Sequence, residues 1–135
     1  MALFVDTSVW SLALRRDVPP ELPEVQYLKA CIDAGNTIVT TGLVLQELLQ
    51  GFSGPKSRQA IVERFMALPG VYPDRRDHIE AAGLRNKCRQ SGIQIGTIDA
   101  VLIQLCKRHS LTMLTTDQDF FLSVPETGIS IWKAS

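Results

Sequence analysis

Short apolar runs alternate along the chain with longer segments in which apolar residues recur every three or four positions. The short runs are bounded by polar, glycine or proline residues, and this pattern predicts buried β-strands. The predicted strands cover residues 3–5, 37–40, 71–72, 111–115 and 129–132.

The longer segments predict helices, because apolar residues at that spacing fall on one helical face. We expect helices around residues 9–14, 25–32, 43–50, 61–66 and 74–90, a helix that follows a cap at Thr97, and a short helical turn over 117–122. The predicted apolar faces include Ile32, Met66, Ile98, Val101, Leu102 and Leu105. Strands that alternate with helices predict an α/β fold with a mainly parallel central sheet. Without repeats or linkers, residues 1–135 are predicted to form a single domain.

The composition is that of an ordinary globular protein, with 45% hydrophobic and 21% charged residues. No apolar run approaches the ~20 residues that span a bilayer. No basic region precedes the apolar N-terminus, as one would in a signal peptide, so we expect a cytoplasmic protein. Three cysteines without metal-ligand spacing fall in predicted helices and are expected to be free, buried thiols: Cys31, Cys88 and Cys106.

Four acidic residues stand where predicted strands give way to helices. Asp6 and Asp117 directly follow strands, Glu47 lies about one turn into the helix that leaves the second strand, and Asp99 is in the first turn of its helix. Sites in open α/β sheets form outside the carboxyl ends of the strands, so we expect these acids to meet there. Asp119 is a candidate fifth member.

Carboxylates gathered in this way need a proton or a cation. Two of them about 5 Å apart repel each other by roughly 3 kcal/mol at an effective dielectric constant near 20. Oxygen ligands without neighbouring His or Cys favour Mg²⁺, with Mn²⁺ as a substitute, over Zn²⁺. Such a centre suits hydrolysis of phosphodiesters. Simpler roles stay open for each acid: Asp6 and Asp117 as helix caps, Asp99 as a partner of the helix dipole, and Glu47 on an exposed face.

The overall charge does not indicate a nucleic-acid-binding protein, because 14 acidic residues balance 14 basic ones. Without the five candidate site acids, nine acidic residues remain against the 14 basic ones. The rest of the surface is therefore moderately basic, and pairs such as Arg75–Arg76, Lys107–Arg108 and the Arg85/Lys87/Arg89 group could contact phosphates.

The acidic motifs together resemble those of PIN domains. Phe4-Val5-Asp6-Thr7-Ser8 is similar to the opening signature, and Thr40 through Glu47 and Gly51 to the second motif. Thr97-Ile98-Asp99-Ala100 resembles the third motif, and Leu114-Thr115-Thr116-Asp117-Gln118-Asp119-Phe120 the fourth. The match runs from residue 4 to the last predicted strand. In size and motif order the chain looks most like the VapC toxins of bacterial toxin–antitoxin pairs.

This resemblance implies a three-layer α/β/α sandwich, a Mg²⁺-dependent endoribonuclease, a homodimer and a cognate antitoxin whose C-terminal segment blocks the acidic site. It implies that Asp6 and Asp99 are the principal metal ligands and that Asp117 helps to hold the metal or its water. Glu47 would act through a water molecule, and the role of Asp119 varies in the family. One departure from the family pattern is the bulky run 101–104 after Asp99.

Three other functions are compatible with parts of this pattern. A phospho-acceptor receiver domain is also α/β and acid-lined, but it would need paired acids at the first strand and a Lys after the strand at 111–115. A catalytically silent PIN fold that only binds RNA or protein would lack one of the four acids. A structure-specific DNA nuclease would carry more acids and a helical arch.

Overall fold

A four-stranded parallel sheet forms the centre of the molecule. The structure is a computed structural model that describes residues 2–15 and 21–135. The strands are β1 (Ala2–Val5), β2 (Thr37–Val39), β3 (Thr112–Leu114) and β4 (Ser130–Ile131). Their order across the sheet is β2-β1-β3-β4, and every neighbouring pair is parallel. The predicted parallel sheet is confirmed.

The inner strand β1 explains why its sequence is apolar at consecutive positions. Leu3 pairs with Ile38 of β2 on one side and with Thr112 of β3 on the other. Leu3, Phe4 and Val5 are all fully buried, so side chains that point to both faces of the sheet are covered. A strand covered on both faces needs apolar residues throughout, not at alternate positions.

Seven helices in the described part of the chain flank the sheet and complete the predicted three-layer α/β/α sandwich. They are α1 (Thr7–Leu14), α2 (Pro23–Asp33), α3 (Gly42–Gly51), α4 (Pro55–Met66), α5 (Arg75–Gln90), α6 (Thr97–Arg108) and α7 (Gln118–Thr127). Helices α1 to α4 pack against one another, and α5 packs against both α6 and α7. None of these helices has the length and hydropathy needed to cross a membrane.

The strands direct their carboxyl ends to one edge, where α1, α3 and α7 begin. The backbone N–H of Asp6 donates to the carbonyl of Leu114 at 3.0 Å, which ties the end of β1 to the end of β3. This hydrogen bond fixes how residues 6–8 lie relative to residues 115–117.

Two predicted element boundaries were wrong. Residues 71–72 do not form a strand: the chain makes only a single parallel bridge between Thr40 and Gly70. Tyr72 is exposed, and Pro73 after it has no N–H to donate, so pairing stops there. The predicted cap Thr97 is instead the first helical residue of α6, and Gly96 occupies the N-cap position.

The predicted helical turn over 117–122 is a helix of ten residues that runs on to Thr127. Pro125 removes one backbone donor but does not end the helix. The hydroxyl of Thr127 donates to the carbonyl of Ser123 at 3.0 Å, and that of Ser123 donates to the carbonyl of Phe120 at 2.7 Å. These bonds reinforce the last turns, and Gly128 ends the helix in the left-handed conformation.

Three residues predicted on apolar helix faces are exposed instead: Ile32 by 42%, Met66 by 81% and Ile98 by 44%. Each lies near a helix terminus, where the helix extends past the core. The remaining members of the α6 stripe, Val101, Leu102 and Leu105, are buried as predicted. All three cysteines are free and buried, also as predicted.

Asp77 is a buried acid at the start of α5, with 1% of its surface exposed. It forms a reciprocal capping box with Asp74, and its carboxylate receives Arg108 of α6 at 2.8 Å and the amide of Gln104 at 3.3 Å. Burial by itself would raise the pKa of Asp77, but the hydrogen bonds from Asp74 and Gln104 and the charge of Arg108 together lower it. The ionised carboxylate therefore joins the start of α5 to the end of α6.

We expect Asp77→Ala to lower the free energy of unfolding by about 2 kcal/mol, because it removes a charge-assisted bond and half of a capping box. Since the folded-state pKa of Asp77 is lowered, its stabilisation is present above the unfolded-state pKa. It is lost as the pH falls through the folded-state value. Urea denaturation near neutral pH and in acid would measure both effects, with the exposed Glu63→Ala as the control. Equal stability of the wild type and Asp77→Ala near neutral pH would contradict this account.

Candidate active site

Asp6 occupies the N-cap position of α1 but does not cap the helix. Its side chain accepts no hydrogen bond from the α1 backbone. Instead, Oδ2 accepts from Ser8 Oγ at 2.9 Å and from Thr115 Oγ1 at 2.8 Å. Asp6 is only 7% exposed, and its Oδ1 receives no hydrogen bond from residues 2–15 or 21–135. A buried carboxylate with one oxygen held and the other free is poised to bind a further group, so the simple cap role is ruled out.

Ser8 and Thr115 form a hydroxyl bridge between the ends of β1 and β3. Their Oγ atoms lie 3.3 Å apart, Ser8 Oγ accepts from the N–H of Thr116 at 3.1 Å, and Thr115 Oγ1 accepts from the N–H of Asp117 at 3.0 Å. Both residues lie inside the acidic motifs, but no role was predicted for them. A sign of their role was present in the sequence, because two hydroxyl residues follow Asp6 and two precede Asp117.

Asp117 does act as a helix cap. Its Oδ1 accepts the N–H of Asp119 at 2.9 Å, in the first turn of α7. Asp117 is partly buried and Asp119 is exposed. The cap fixes Asp117 at the end of β3, next to the hydroxyl bridge, and leaves its second carboxylate oxygen for other partners.

Asp99 lies in the first turn of α6 and faces the other acids. One of its oxygens accepts a long hydrogen bond of 3.4 Å from the N–H of Gly96, which has no side chain to return the bond. Desolvation raises the pKa of Asp99. The Gly96 bond opposes this rise, and the charges of Asp117, Asp6 and Asp119 add to it. Three other acids destabilise the charged form of Asp99, and a role as a helix cap alone does not explain this placement.

Glu47 approaches the same place from α3. It is exposed, and its Oε1 receives a weak bond of 3.4 Å from Thr7 Oγ1. Desolvation, then the charges of Asp6 and Asp99, raise the pKa of Glu47 against the opposing effect of the Thr7 bond. Thr40, which opens the second motif, is buried, and within the described ranges its hydroxyl has no hydrogen-bond partner.

The five acids predicted from sequence therefore share one electrostatic environment. Asp99 feels the charges of three of them and Glu47 those of Asp6 and Asp99. No group of three or more Asp, Glu, His or Cys side chains in the described ranges is placed to enclose a metal ion. A Mg²⁺ site does not require such a group, because this ion usually keeps several water molecules and takes one or two protein carboxylates. The ligand set Asp6, Asp99 and Asp117 stays a prediction.

The hydroxyl bridge gives a test of how Asp6 is positioned. We expect Thr115→Val, which keeps the side-chain shape, to lower the rate of RNA cleavage by about tenfold and to raise the Mg²⁺ concentration for half-maximal activity. The reason is that Asp6 loses its shortest hydrogen bond. Thr112→Val, in the strand that ends just before Thr115, is the matched control. A lower rate with an unchanged Mg²⁺ requirement would show that Thr115 does not orient Asp6 for metal binding.

Comparison with models of protein families identifies the family of this chain. The model of the PIN domain matches residues 3–125, a range that includes all five acids and the hydroxyl bridge. The chain belongs to the PIN-domain family. The resemblance drawn from the four motifs is thereby confirmed, while the roles of the individual acids stay predictions.

Relatives of this PIN domain include VapC proteins. Ribonuclease VapC23 of Mycobacterium tuberculosis is 28% identical over 119 residues, which are 84% of this chain and 90% of the relative. VapBC2 from Rickettsia felis, solved with a fragment of promoter DNA, superimposes with a TM-score of 0.75 at 19% identity, over 100% of both chains. VapBC-5 of Mycobacterium tuberculosis, from the VapBC family of toxin–antitoxin systems, gives 0.68 at 19% identity, over 98% of both chains. At these identities, the solved structures establish the shared fold.

Proposed function

We propose that this PIN domain is a divalent-metal-dependent endoribonuclease and the toxin of a toxin–antitoxin pair. The observation that carries the proposal is the set of coupled carboxylates in which Asp6 is held by hydroxyl groups and is not used as a cap. A fold without catalytic use of these acids would gain stability by separating them. Asp117, Asp6 and Asp119 raise the pKa of Asp99, and Asp6 and Asp99 raise that of Glu47. The name of the relative VapC23 supports RNA as the substrate.

Each residue of the proposed active site has a separate role. Asp6, after the end of β1, and Asp99, in the first turn of α6, would be the principal ligands of the ion, and Asp117, after the end of β3, would help to hold the ion or its water. Ser8 and Thr115 hold Asp6 in one orientation. Glu47, exposed at the rim with a raised pKa, is placed to orient the attacking water and to accept its proton.

The carboxylates need Mg²⁺ or Mn²⁺ for this chemistry. The bound ion supplies activation of water and neutralises the charge that builds up on the phosphate in the transition state. The free Oδ1 of Asp6 and the oxygen-only donor set fit these ions. They fit Zn²⁺ poorly, because its sites in proteins are built largely from Cys and His.

The proposed partners are RNA, a cognate antitoxin and a second copy of the chain. Superposition on proteins solved as VapBC complexes supports an antitoxin, whose segment would close the acidic site. Membership of the PIN family removes the receiver-domain alternative. The presence of all four motif acids weighs against a silent binding module, and the seven described helices include no arch of the kind that a structure-specific DNA nuclease would need.

Incubation of the purified protein with a pool of structured RNAs tests the activity. We expect new RNA ends at a few defined positions in Mg²⁺ or Mn²⁺ and none in EDTA. Single-stranded and duplex DNA of matched sequence serve as controls and should stay intact. Cleavage that continues in EDTA would contradict metal dependence, and cleavage of the DNA alone would contradict the substrate.

A further inference from the structure

A small cavity lies between α5 and α6, apart from the acids themselves. Its volume is about 190 Å³. Small apolar side chains of both helices line part of it, and polar side chains line the rest: His78, Arg85, Asn86 and Thr97. Because these α5 positions are spaced by seven and eight residues, they fall on one face of the helix.

A second cavity of about 160 Å³ adjoins the first across Arg85. Arg85 lines both cavities, and Arg89, one turn further along α5, lines the second together with Gln94. None of the described residues that line the two cavities is acidic. The two guanidinium groups therefore form a positively charged patch within the lining. We call the two cavities and this patch the α5–α6 groove.

The α5–α6 groove ends at the turn that holds Asp99. Arg85 Nε donates to the carbonyl of Ile95 at 2.9 Å, and the next residue, Gly96, donates its N–H to Asp99. Thr97, which lines the first cavity, lies two residues before Asp99. The bond to Ile95 uses only one of the five N–H donors of Arg85 and holds the side chain in place, so the terminal nitrogens stay available to a ligand.

The size and chemistry of the groove indicate what would occupy it. Planar, bidentate guanidinium groups suit phosphate oxygens. A cavity of about 190 Å³ lies below the ~300–1,000 Å³ of pockets for drug-sized ligands, so it suits one ring system better than a whole nucleotide. Unpaired RNA bases are bound by stacking on His or Arg and by hydrogen bonds to amide side chains, and His78, Arg85 and Asn86 offer all of these.

We propose that the α5–α6 groove binds the single-stranded RNA segment next to the cleaved phosphodiester. Arg85 and Arg89 bind its phosphates, and the cavity at His78 and Asn86 takes one unpaired base. This inference rests on the proposed ribonuclease function and adds to it a path for the strand and a residue, Asn86, that selects the base.

The test measures binding of a fluorescent single-stranded RNA pool to the Asp99→Asn protein in EDTA, where the RNA stays intact. We expect Arg89→Gln in this background to weaken binding by about three- to tenfold and to lower the salt dependence by about one phosphate contact. Arg64→Gln is the control, since Arg64 is an exposed arginine of α4. Arg85→Lys, which keeps the charge but loses the fork, should also weaken binding.

Cleavage mapping adds an independent readout. In the otherwise wild-type enzyme, Asn86→Ala should change the nucleotide preferred beside the cut while the enzyme still requires Mg²⁺. Unchanged RNA affinity in both Arg85→Lys and Arg89→Gln, with unchanged cut sites in Asn86→Ala, would overturn the proposal that the α5–α6 groove binds RNA. It would leave the proposed ribonuclease function in place. A change only in oligomeric state, without effect on RNA, would assign this face to a second copy and also overturn it. If the wild type neither binds nor cleaves RNA, the proposed function itself fails.

Discussion

Asp99→Asn is expected to lower the rate of RNA cleavage by about 100- to 1,000-fold and to leave the protein folded. Asparagine has nearly the same shape and can still accept the hydrogen bond from Gly96, so the start of α6 is preserved. It removes the negative charge that faces Asp6, Asp117 and Asp119. Single-turnover cleavage of an RNA identified from the pool would measure the loss.

Asp33→Asn is the matched control for this substitution. Asp33 is an exposed aspartate at the end of α2, and its change to asparagine removes the same charge from the protein as a whole. We expect it to cleave RNA at the wild-type rate. Loss of activity in both variants would point to net charge as the cause, and full activity of Asp99→Asn would remove Asp99 from the proposed site.

The second large effect concerns the stability of the metal-free protein. Burial and neighbouring charges raise the folded-state pKa values of Asp99 and Glu47 above their ordinary values of 3.8 and 4.5. The folded protein then binds more protons than the unfolded chain at mildly acidic pH, so its free energy of unfolding rises as the pH is lowered. We expect the Tm in EDTA to increase by a few degrees from about pH 7 to about pH 5. At still lower pH the Tm falls again, because Asp77 loses its charge.

Mg²⁺ should produce the same gain near pH 7, because a bound cation relieves the same repulsion. Asp99→Asn should raise the Tm in EDTA near pH 7 and reduce the response to both acid and Mg²⁺. Differential scanning fluorimetry of the two proteins would measure this, again with Asp33→Asn as the control. A wild-type Tm that falls steadily on acidification from pH 7 would show that repulsion among these acids does not limit stability.

The acids could be located from sequence because strand ends and helix starts are local features. An apolar run that stops at Asp6, and another that stops two residues before Asp117, fix those side chains near the carboxyl edge of a parallel sheet wherever the strands pair. The same local logic placed Glu47 about one turn into α3 and Asp99 in the first turn of α6. The parallel sheet followed from the alternation of elements, and the three layers from the resemblance to PIN domains.

The hydroxyl bridge could not be deduced in this way. Ser8 and Thr115 are 107 residues apart, and they meet only because β1 and β3 are neighbours with Val5 opposite Leu114. Local patterns carry no information about that register. The difference between Asp6 and Asp117, one held by hydroxyl groups and the other a true cap, follows from the same tertiary contact.

Some features of the helices were not predicted correctly because they depend on contacts between side chains. The helical turn predicted over 117–122 continues to Thr127, where hydroxyl groups of Ser123 and Thr127 support the final turns. Ile98 continued the apolar pattern of α6 but lies in its first turn, beyond the cover of the neighbouring helices, and is 44% exposed. The burial of Asp77 depended on Arg108, which reaches it from the far end of α6.

Direct titration of Mg²⁺ or Mn²⁺ into the metal-free protein tests the central claim, that the carboxylates at the end of the sheet form a cation site. Calorimetry should show saturable binding to the wild type and to Asp33→Asn. We expect binding to Asp6→Asn and Asp99→Asn to be at least about tenfold weaker. Equal affinity in all four proteins would place the ion elsewhere. Absence of binding to the wild type would contradict the account of these acids as a metal-dependent active site.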